Sequence, residues 1–263
     1  MAEESSTAQS DSGDVRTERR GRILIITINR PQAKNAVNAA VSHGLAAAMD
    51  TLDDDPGLSV GILTGAGGTF CAGMDLKAFA RGENVAVKGR GLGFTERPPV
   101  KPLIAAVEGH ALAGGTELAL ATDLIVAASD SAFGIPEVKR GLVAAGGGLL
   151  RLPQRIPYQI AMELALTGDP LPAERAHRLG LVNVLAEPGQ ALEQAVALAE
   201  RITANGPLAV AATKRVIVES RSWTPENQWR EQMKIIMPVF ASKDAREGAV
   251  AFAEKRAPNW TGS

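Results

Sequence analysis

Four short apolar runs in the first half of the chain constrain its fold more than any other feature. The runs are ILIITI (Ile23–Ile28), SVGILTG (Ser59–Gly65), LIAAVEG (Leu103–Gly109) and LIVAAS (Leu124–Ser129). Continuous apolar runs of this length are typical of strands that are buried on both faces. Helical patterns alternate with them, for example a helix that Asn38 is suited to cap and that extends to about Asp53. We therefore predict an α/β fold with parallel strand pairing.

The last third of the chain changes to a purely helical pattern. Its first helix has an apolar face formed by Leu192, Val196, Ala199 and Ile202, and Asn205-Gly206-Pro207 ends it. Three further helices are predicted over Pro207–Glu219, from Thr224-Pro225-Glu226 to near Pro238, and from Ser242 to about Arg256. At the other end, residues 1–20 are polar and mixed in charge, so we predict a disordered tail there.

Composition excludes several classes of protein. The 263 residues carry a net charge of −1 and no long basic run, so we expect no nucleic-acid partner. The longest apolar runs are far too short to span a bilayer, and the N-terminal sequence lacks the apolar core of a secretory signal. A single cysteine excludes an internal disulfide. These features predict a soluble cytoplasmic protein without a membrane partner.

Several common functional motifs are missing or incomplete. GAGGTF, after the second strand, resembles a dinucleotide-binding fingerprint, but Phe70 occupies the position of the third glycine. The phosphate-binding GxxxxGK[ST] motif is absent. His43, His110 and His177 have no metal-ligand spacing, so we predict no metal site. Cys71 is interpreted as a buried packing residue rather than a nucleophile.

Two strand-to-helix junctions share an arrangement of glycine and small residues. They are TFCAGMDLKAF (Thr69–Phe79) and ALAGGTELA, which begins at Ala111. Backbone N–H groups at a helix start have no intrahelical partner. If both junctions faced one point, two amides would bind one oxygen, as in the oxyanion hole that stabilises negative charge developing on a carbonyl. The alternative is two ordinary turns whose glycines allow close packing. The polar, glycine-bearing segment Arg81–Pro99 lies between the two junctions in the sequence, and we expect it to be an exposed loop.

Two glutamates follow such junctions. Glu117 lies one helical turn after Gly114 in an otherwise apolar segment, and Glu137 follows Pro136 at a second predicted helix start. A helix N-terminus favours the carboxylate form, whereas burial favours the protonated form. Two glutamates in different surroundings are therefore able to divide acid and base roles. The alternative for Glu137 is a surface residue that complements a helix dipole.

The combination of these segments resembles a known family. AVEGHALAGGTELALATDLIVAASDSAFGIPEVKRGL, with FCAGMDLKAF upstream and AFAEKRAPNWTG near the C-terminus, is similar to the crotonase (enoyl-CoA hydratase/isomerase) superfamily from about Gly21 onward. The resemblance implies a crotonase-like spiral of ββα units over residues 21–205 and an all-helical C-terminal part, 206–263, that mediates assembly into a homotrimer or a dimer of trimers. It also implies an acyl-CoA thioester substrate and no cofactor.

The resemblance also implies roles for individual residues. The N–H groups of Met74 and Gly114 would be the oxyanion donors, and Glu117 and Glu137 the catalytic glutamates. Substrate binding is implied for Lys34, Ala36, Ala72, Met74, Asp75, Leu76, Lys77, Gly114, Phe252 and Lys255, the last two from a neighbouring subunit in some family members. One difference concerns Ala144-Ala145, where many hydratases carry Pro-Gly. This segment lies near the active-site water in the family, so the difference bears on chain-length preference and rate.

The function predicted from these residues is hydration of a trans-2-enoyl-CoA in the breakdown of fatty acids or related acyl-CoAs. Glu117 would take a proton from the water that attacks C3, and Glu137 would deliver a proton to C2. The alternatives are an enoyl-CoA isomerase, which needs chiefly the Glu137 position, and a dehydratase of a specialised substrate such as carnitinyl-CoA. A non-catalytic binding or RNA-interacting homologue is disfavoured by the near-neutral charge and by the presence of both glutamates.

Overall fold

The computed structural model describes residues 13–263. These residues form nine strands: β1 (Val15–Arg20), β2 (Ile23–Ile28), β3 (Val60–Gly65), β4 (Leu103–Val107), β5 (His110–Leu112), β6 (Leu124–Ala128), β7 (Ala132–Gly134), β8 (Leu171–Pro172) and β9 (Val184–Ala186). The larger sheet has the order β1-β2-β3-β4-β6-β9, and the smaller has the order β5-β7-β8. Pairing is parallel except between β1 and β2 and between β7 and β8. The predicted α/β class with parallel pairing is therefore confirmed.

Ten α-helices lie in the same part of the chain. They are α1 (Ala39–Asp54), α2 (Leu76–Ala80), α3 (Gly114–Leu120), α4 (Gly148–Arg155), α5 (Tyr158–Thr167), α6 (Ala173–Arg178), α7 (Ala191–Thr203), α8 (Pro207–Glu219), α9 (Gln228–Phe240) and α10 (Lys243–Glu254). The predicted caps of α1 and α10 are present, since Asn38 accepts a hydrogen bond from the Val41 amide and Ser242 from the Ala245 amide. None of these helices is long and apolar enough to cross a bilayer.

The large sheet is buried on both faces because its strands are apolar at consecutive positions. Along β2, Leu24, Ile26 and Ile28 join a core cluster that includes the buried face of α1. The alternate residues Ile23 and Ile25 join a second cluster with the buried face of α7. Successive side chains of a strand point to opposite faces, so a continuous apolar run can fill two cores. This is why ILIITI shows no alternation of apolar and polar residues.

The spiral brings three helix starts together. In successive turns a strand of the large sheet leads to a short segment in a second layer and then to a helix: β3 leads to Cys71 and α2, β4 to β5 and α3, and β6 to β7 and the 3-10 helix Pro136–Arg140. Cys71 pairs with Ala111, and Ala111 pairs with Phe133, both in parallel register. Segments paired in this way end side by side, so the helices that follow them begin next to one another. The crotonase-like spiral implied by the resemblance has this arrangement.

The structure corrects the predicted tail. Residues 1–12 lie outside the described part of the chain, but Val15–Arg20, predicted to be disordered, form β1 and pair with β2 at all six positions. The strand is ordered by backbone hydrogen bonds to β2, by Val15, which packs against the core, and by surface ion pairs. Arg19 pairs with Asp55 at 2.9 Å, and Arg20 pairs with Glu193 at 3.2 Å.

Two further expectations are wrong. The segment Arg81–Pro99 is not wholly exposed, because Phe94 is 0% exposed and Leu92 is also buried in the core. Gly93 allows this packing, since a Cβ there would lie 2.6 Å from the Ser42 carbonyl oxygen on α1. In the C-terminal part, α9 begins at Gln228 rather than after Thr224 and continues through Pro238 to Phe240. The Thr224 carbonyl accepts from the amides of Asn227 and Gln228, so a turn precedes the helix.

Candidate active site

The two predicted junctions meet at their glycines. A Cβ on Gly73 would lie 2.7 Å from the Ala113 Cβ and 3.2 Å from the Gly114 nitrogen, and Gly73 has a φ of +100°. A Cβ on Gly114 would lie 3.6 Å from the Met74 nitrogen. Within residues 13–263, neither the Met74 nor the Gly114 N–H donates a hydrogen bond. Two neighbouring unpaired amides are the arrangement that an oxyanion hole requires.

The second junction is held in an unusual backbone conformation by its neighbours. Ala113, the residue before α3, has φ 50° and ψ −124°, a combination that L-residues rarely adopt. Its N–H donates to the Gly134 carbonyl, and the Thr116 hydroxyl bridges the Ala111 carbonyl and the backbone of Gly134. These bonds fix the start of α3 against β7. Sequence reasoning missed Thr116, although a threonine in an apolar first turn is a signal of such bonding.

The two glycines at the start of α3 have different roles. Gly115 faces the preceding turn of the spiral, since a Cβ there would lie 2.1 Å from the Cys71 carbonyl oxygen. Gly114 instead faces Leu92 and Met74. Gly115 therefore allows close packing, whereas Gly114 provides an accessible amide.

Glu117 is a buried carboxylate with backbone donors. The residue is 3% exposed, and its Oε1 accepts from the Gly148 amide at 2.9 Å. Burial raises the pKa of Glu117, while the amides of Gly148 and Gly146 and the charge of Arg151 oppose that rise. The glycine run after Ala145 therefore forms a cradle for Glu117, a role that sequence reasoning did not assign to it.

Glu137 has different surroundings. It lies on the 3-10 helix Pro136–Arg140 and is half-buried, and its Oε2 has no hydrogen-bond partner in the described part of the chain. Burial raises its pKa, the negative charge of Glu117 raises it further, and Arg140 partly opposes both effects. A buried oxygen without a donor is costly unless it meets a ligand or water. Glu137 is thus more than a surface residue that complements a helix dipole.

One cavity connects these groups. It has a volume of about 430 Å³, and Met74, Gly114, Glu117 and Glu137 all line it. Its remaining lining is mostly apolar and comes from Ala72, Leu76, Phe79, Val85, Ala86, Leu92, Leu112, Ala113, Pro136, Arg140, Leu142, Val143, Ala145 and Gly146. The structure therefore brings together six of the predicted site residues, Ala72 and Leu76 included, and adds apolar residues from the segment Arg81–Pro99.

The other predicted binding residues lie outside this cavity. Asp75 caps α2 and pairs with Arg30 at 3.0 Å, and Lys77 is exposed on the same helix. The Lys34 carbonyl accepts from the Ala72 amide at 3.0 Å, which places the Lys34 backbone beside a residue that lines the cavity. Two more predicted residues, Phe252 and Lys255, lie at the end of α10, and Phe252 is 87% exposed. Ala36 accepts a hydrogen bond from Arg30 through its carbonyl.

A second, apolar cavity adjoins the first at Glu137 and Val143. It also has a volume of about 430 Å³ and lies between the 3-10 helix, α4 and α5. Its other lining residues are Ile135, Val138, Ala144, Leu149, Leu152, Pro153, Tyr158, Ala161, Met162, Ala165 and Leu166. The pair Ala144-Ala145 divides between the two, since Ala144 lines the second cavity and Ala145 the first. The difference from the Pro-Gly of many hydratases thus falls on their boundary.

Two other sequence interpretations concern Cys71 and metal binding. Burial raises the pKa of the Cys71 thiol to about 12, so the thiol stays protonated at neutral pH and a packing role is favoured. Across residues 13–263, no group of three or more His, Cys, Asp or Glu side chains is arranged to hold a metal ion. The expectation of chemistry without a metal remains a prediction.

Comparison with known proteins shows the family to which the chain belongs. A family model described as enoyl-CoA hydratase/isomerase matches residues 18–263. Enoyl-CoA hydratase EchA19 of Mycobacterium tuberculosis is 45% identical over 96% of this chain and 98% of its own, and carnitinyl-CoA dehydratase of Salmonella arizonae is 43% identical over 95% and 99%. A crystal structure of enoyl-CoA hydratase EchA1 from Mycobacterium marinum is 78% identical, with a TM-score of 0.95, over 96% of this chain and 100% of that one. The chain therefore belongs to the enoyl-CoA hydratase/isomerase family, as the resemblance of its two junctions to the crotonase superfamily predicts.

Proposed function

We propose that this protein is an enoyl-CoA hydratase that adds water across the 2,3 double bond of a trans-2-enoyl-CoA. The observation that carries the proposal is the convergence of two glutamates and two unpaired amides, from three turns of the spiral, on one cavity. The similarity to relatives named enoyl-CoA hydratase supports the same reaction. Fatty-acid or related acyl-CoA breakdown is the proposed setting.

The thioester oxygen would accept hydrogen bonds from Met74 and Gly114, which stabilise the enolate-like transition state. Glu117 is the base: burial raises its pKa, but the amide donors of its cradle and Arg151 oppose that rise and stabilise the carboxylate. It takes a proton from the water whose oxygen bonds to C3. Glu137 is the acid, because its unpartnered oxygen and the nearby negative charge favour the protonated form. It delivers its proton to C2 as the C2–C3 double bond becomes single.

Run backwards, the same groups eliminate water. Glu137 would then remove the C2 proton and Glu117 would protonate the departing hydroxide. The similarity to relatives named carnitinyl-CoA dehydratase keeps dehydration of a specialised acyl-CoA as the second candidate. The isomerase alternative is less well supported, because that reaction needs chiefly Glu137, whereas Glu117 also lines the cavity and has its own donors.

The acyl chain would extend past Val143 into the second cavity. This cavity is apolar and shares Glu137 and Val143 with the first, so a chain whose C2 lies beside Glu137 has a continuous apolar path. Hydrocarbon gains free energy from such burial, about 0.8 kcal/mol per CH₂ group. Substrates with an acyl tail of medium length are therefore expected to be preferred over crotonyl-CoA, the shortest member.

The remaining proposals concern assembly and setting. The α8–α9 surface exposes Ile217, Trp229, Met237 and Phe240, which is consistent with a homotrimer or dimer of trimers built through residues 206–263. In such an assembly Phe252 and Lys255 would approach the CoA of a neighbouring subunit, and the mass of the purified protein in analytical ultracentrifugation tests this. We further propose a cytoplasmic enzyme that needs no cofactor and has no nucleic-acid partner.

Turnover of a panel of trans-2-enoyl-CoA thioesters tests the function. The purified protein should convert them to 3-hydroxyacyl-CoAs in the presence of a chelator and without nicotinamide, and the products should be identified by mass spectrometry. The same panel should include 3-enoyl-CoAs and carnitinyl-CoA to distinguish the alternatives. Hydration that is undetectable for every chain length, alongside isomerisation of 3-enoyl-CoA, would refute the hydratase proposal.

A further inference from the structure

Arg151 connects two chain segments that contribute to the cavity lining. It lies in the first turn of α4, directly after the glycine cradle of Glu117, and it is half-buried. Its guanidinium Nη2 donates to the Thr95 carbonyl, 56 residues away in sequence. The guanidinium also covers Gly147, where an added Cβ would lie 2.2 Å from Nη1. One side chain therefore joins the segment Gly91–Thr95 to the turn Gly146–Gly148.

Thr95 extends this connection to the oxyanion side of the site. Its hydroxyl accepts from the Leu92 amide at 3.1 Å. The Leu92 side chain in turn faces both glycines of the site: a Cβ on Gly114 would lie 3.0 Å from Leu92 Cδ1, and a Cβ on Gly146 would lie 3.2 Å from it. Movement of the Arg151 guanidinium would therefore reach the oxyanion donor and the Glu117 cradle together.

We propose that Arg151 is a positioning residue for the hydration reaction, which fastens the Gly91–Thr95 segment onto the Gly146–Gly148 turn and thereby holds the backbone donors against Glu117. The inference rests on the proposed function but concerns a residue that acts through others. The groups that face the Glu117 carboxylate are the Gly146 amide before α4, the Gly148 amide and Arg151 on α4, and Glu137 on the 3-10 helix. Arg151 is the cation among them, so its removal also favours protonation of Glu117.

The same helix offers a matched control. Arg155 lies one turn further along α4, is half-buried as well, and donates to the carbonyls of Leu120 and Thr122. The charged groups that interact with it are Arg221, Asp123 and Arg151, and Glu117 is not among them. Arg151→Met and Arg155→Met therefore remove equivalent side chains from one helix, and only the first lies at the cradle.

The experiment measures kcat and kcat/KM against pH for both variants and for Arg151→Lys with one trans-2-enoyl-CoA, together with their melting temperatures. Arg151→Met should lower kcat by about tenfold or more, equivalent to about 1.4 kcal/mol. The acidic limb of its kcat/KM profile should move to higher pH by about one unit. Arg151→Lys keeps the charge but not the planar fork, so its acidic limb should stay near that of the wild type while kcat falls. Arg155→Met should lower the melting temperature without moving the limb.

Two results would overturn the proposal: a wild-type kcat in Arg151→Lys, or an equal shift of the acidic limb in Arg155→Met. If Arg151→Met does not fold, the Lys variant alone decides. If the wild type itself hydrates no substrate, the proposed function fails, and amide hydrogen exchange tests the fastening on its own. Exchange at Leu92 and Gly148 should then be faster in Arg151→Lys than in the wild type and unchanged in Arg155→Met. Equal exchange at both amides in all three proteins would refute the positioning role of Arg151.

Discussion

Glu117 and Glu137 follow successive turns of the same spiral, yet the protein surrounds them differently. Glu117 is enclosed by α3 and α4, and the Gly148 amide donates to it. Glu137 is half-buried between two cavities, and its Oε2 has no hydrogen-bond partner in the described part of the chain. The proposed division into base and acid rests on this difference. Burial raises the pKa of both glutamates, but two backbone amides and Arg151 oppose the rise at Glu117, whereas the negative charge of Glu117 adds to it at Glu137.

Conversion of each glutamate to glutamine tests this division most strongly. Glu117→Gln and Glu137→Gln should each lower kcat by about 10²–10⁴-fold, with little change in KM, because the lost interaction belongs to the transition state. The double variant should lose far less than the product of the two losses, since both residues act in one step. Steady-state kinetics with a trans-2-enoyl-CoA measure all three.

The isomerase alternative makes the opposite prediction for one of these variants. If only Glu137 moves protons, Glu117→Gln should be mild, and 3-enoyl-CoA should be the better substrate of the wild type. That result would show that Glu117 and Glu137 do not divide the base and acid roles between them. A non-catalytic protein would show no turnover in any form.

The two glutamates were predictable because local sequence determines their positions. Gly114 and Glu117 lie on one helical turn, and Pro136 directly precedes Glu137, so each junction carries its own signal. The fastening of Arg151 to Thr95 was not predictable, because it joins residues 56 apart through a carbonyl that any residue possesses. Strand β1 was missed for a related reason: its order comes from pairing with β2 rather than from its own composition.

The segment Arg81–Pro99 illustrates a third limit. Its charged residues and glycines suggest exposure, but Leu92 and Phe94 enter the core, and Gly93 permits direct contact with α1. Glycine is read from sequence as a mark of turns, although it also allows the backbone to approach a helix closely. The contribution of this segment to the cavity lining was therefore not predictable from its sequence.

A larger side chain at Val143 tests whether the acyl tail passes Glu137 into the second cavity. Val143 lines both cavities and is 70% exposed, so Val143→Phe should fold normally and narrow the path between them. We expect kcat/KM for a dodecenoyl-CoA to fall about tenfold relative to crotonyl-CoA. Val250→Phe on α10 is the control and should leave this ratio unchanged. An unchanged ratio in Val143→Phe would place the acyl tail elsewhere.

The smallest expected effect concerns the pH dependence of protein stability rather than the reaction rate. Burial raises the pKa of folded Glu117 above the unfolded value of about 4.3. The folded state therefore binds this proton more tightly, and the associated stability is complete below the unfolded pKa and is lost as the pH rises through the folded pKa. Glutamine does not titrate, so the difference in melting temperature between Glu117→Gln and wild type should increase as the pH rises from about 4 to 7. The direction of the pKa shift gives the sign of this change, and thermal melts across that pH range measure it.

A surface glutamate with the opposite shift provides the control for this last measurement. Arg256 and the Asn259 amide lower the pKa of Glu247 to about 2, so its contribution is present above the unfolded pKa and is lost as the pH falls through the folded one. The melting-temperature difference of Glu247→Gln should therefore become more negative as the pH rises from about 2 to 5, opposite in sign to that of Glu117→Gln. Glu137→Gln should follow the sign of Glu117→Gln, because burial raises both pKa values. If Glu117→Gln instead behaved like Glu247→Gln, donors would outweigh burial at the base, and Glu117 would be ionised over the whole working range of the enzyme.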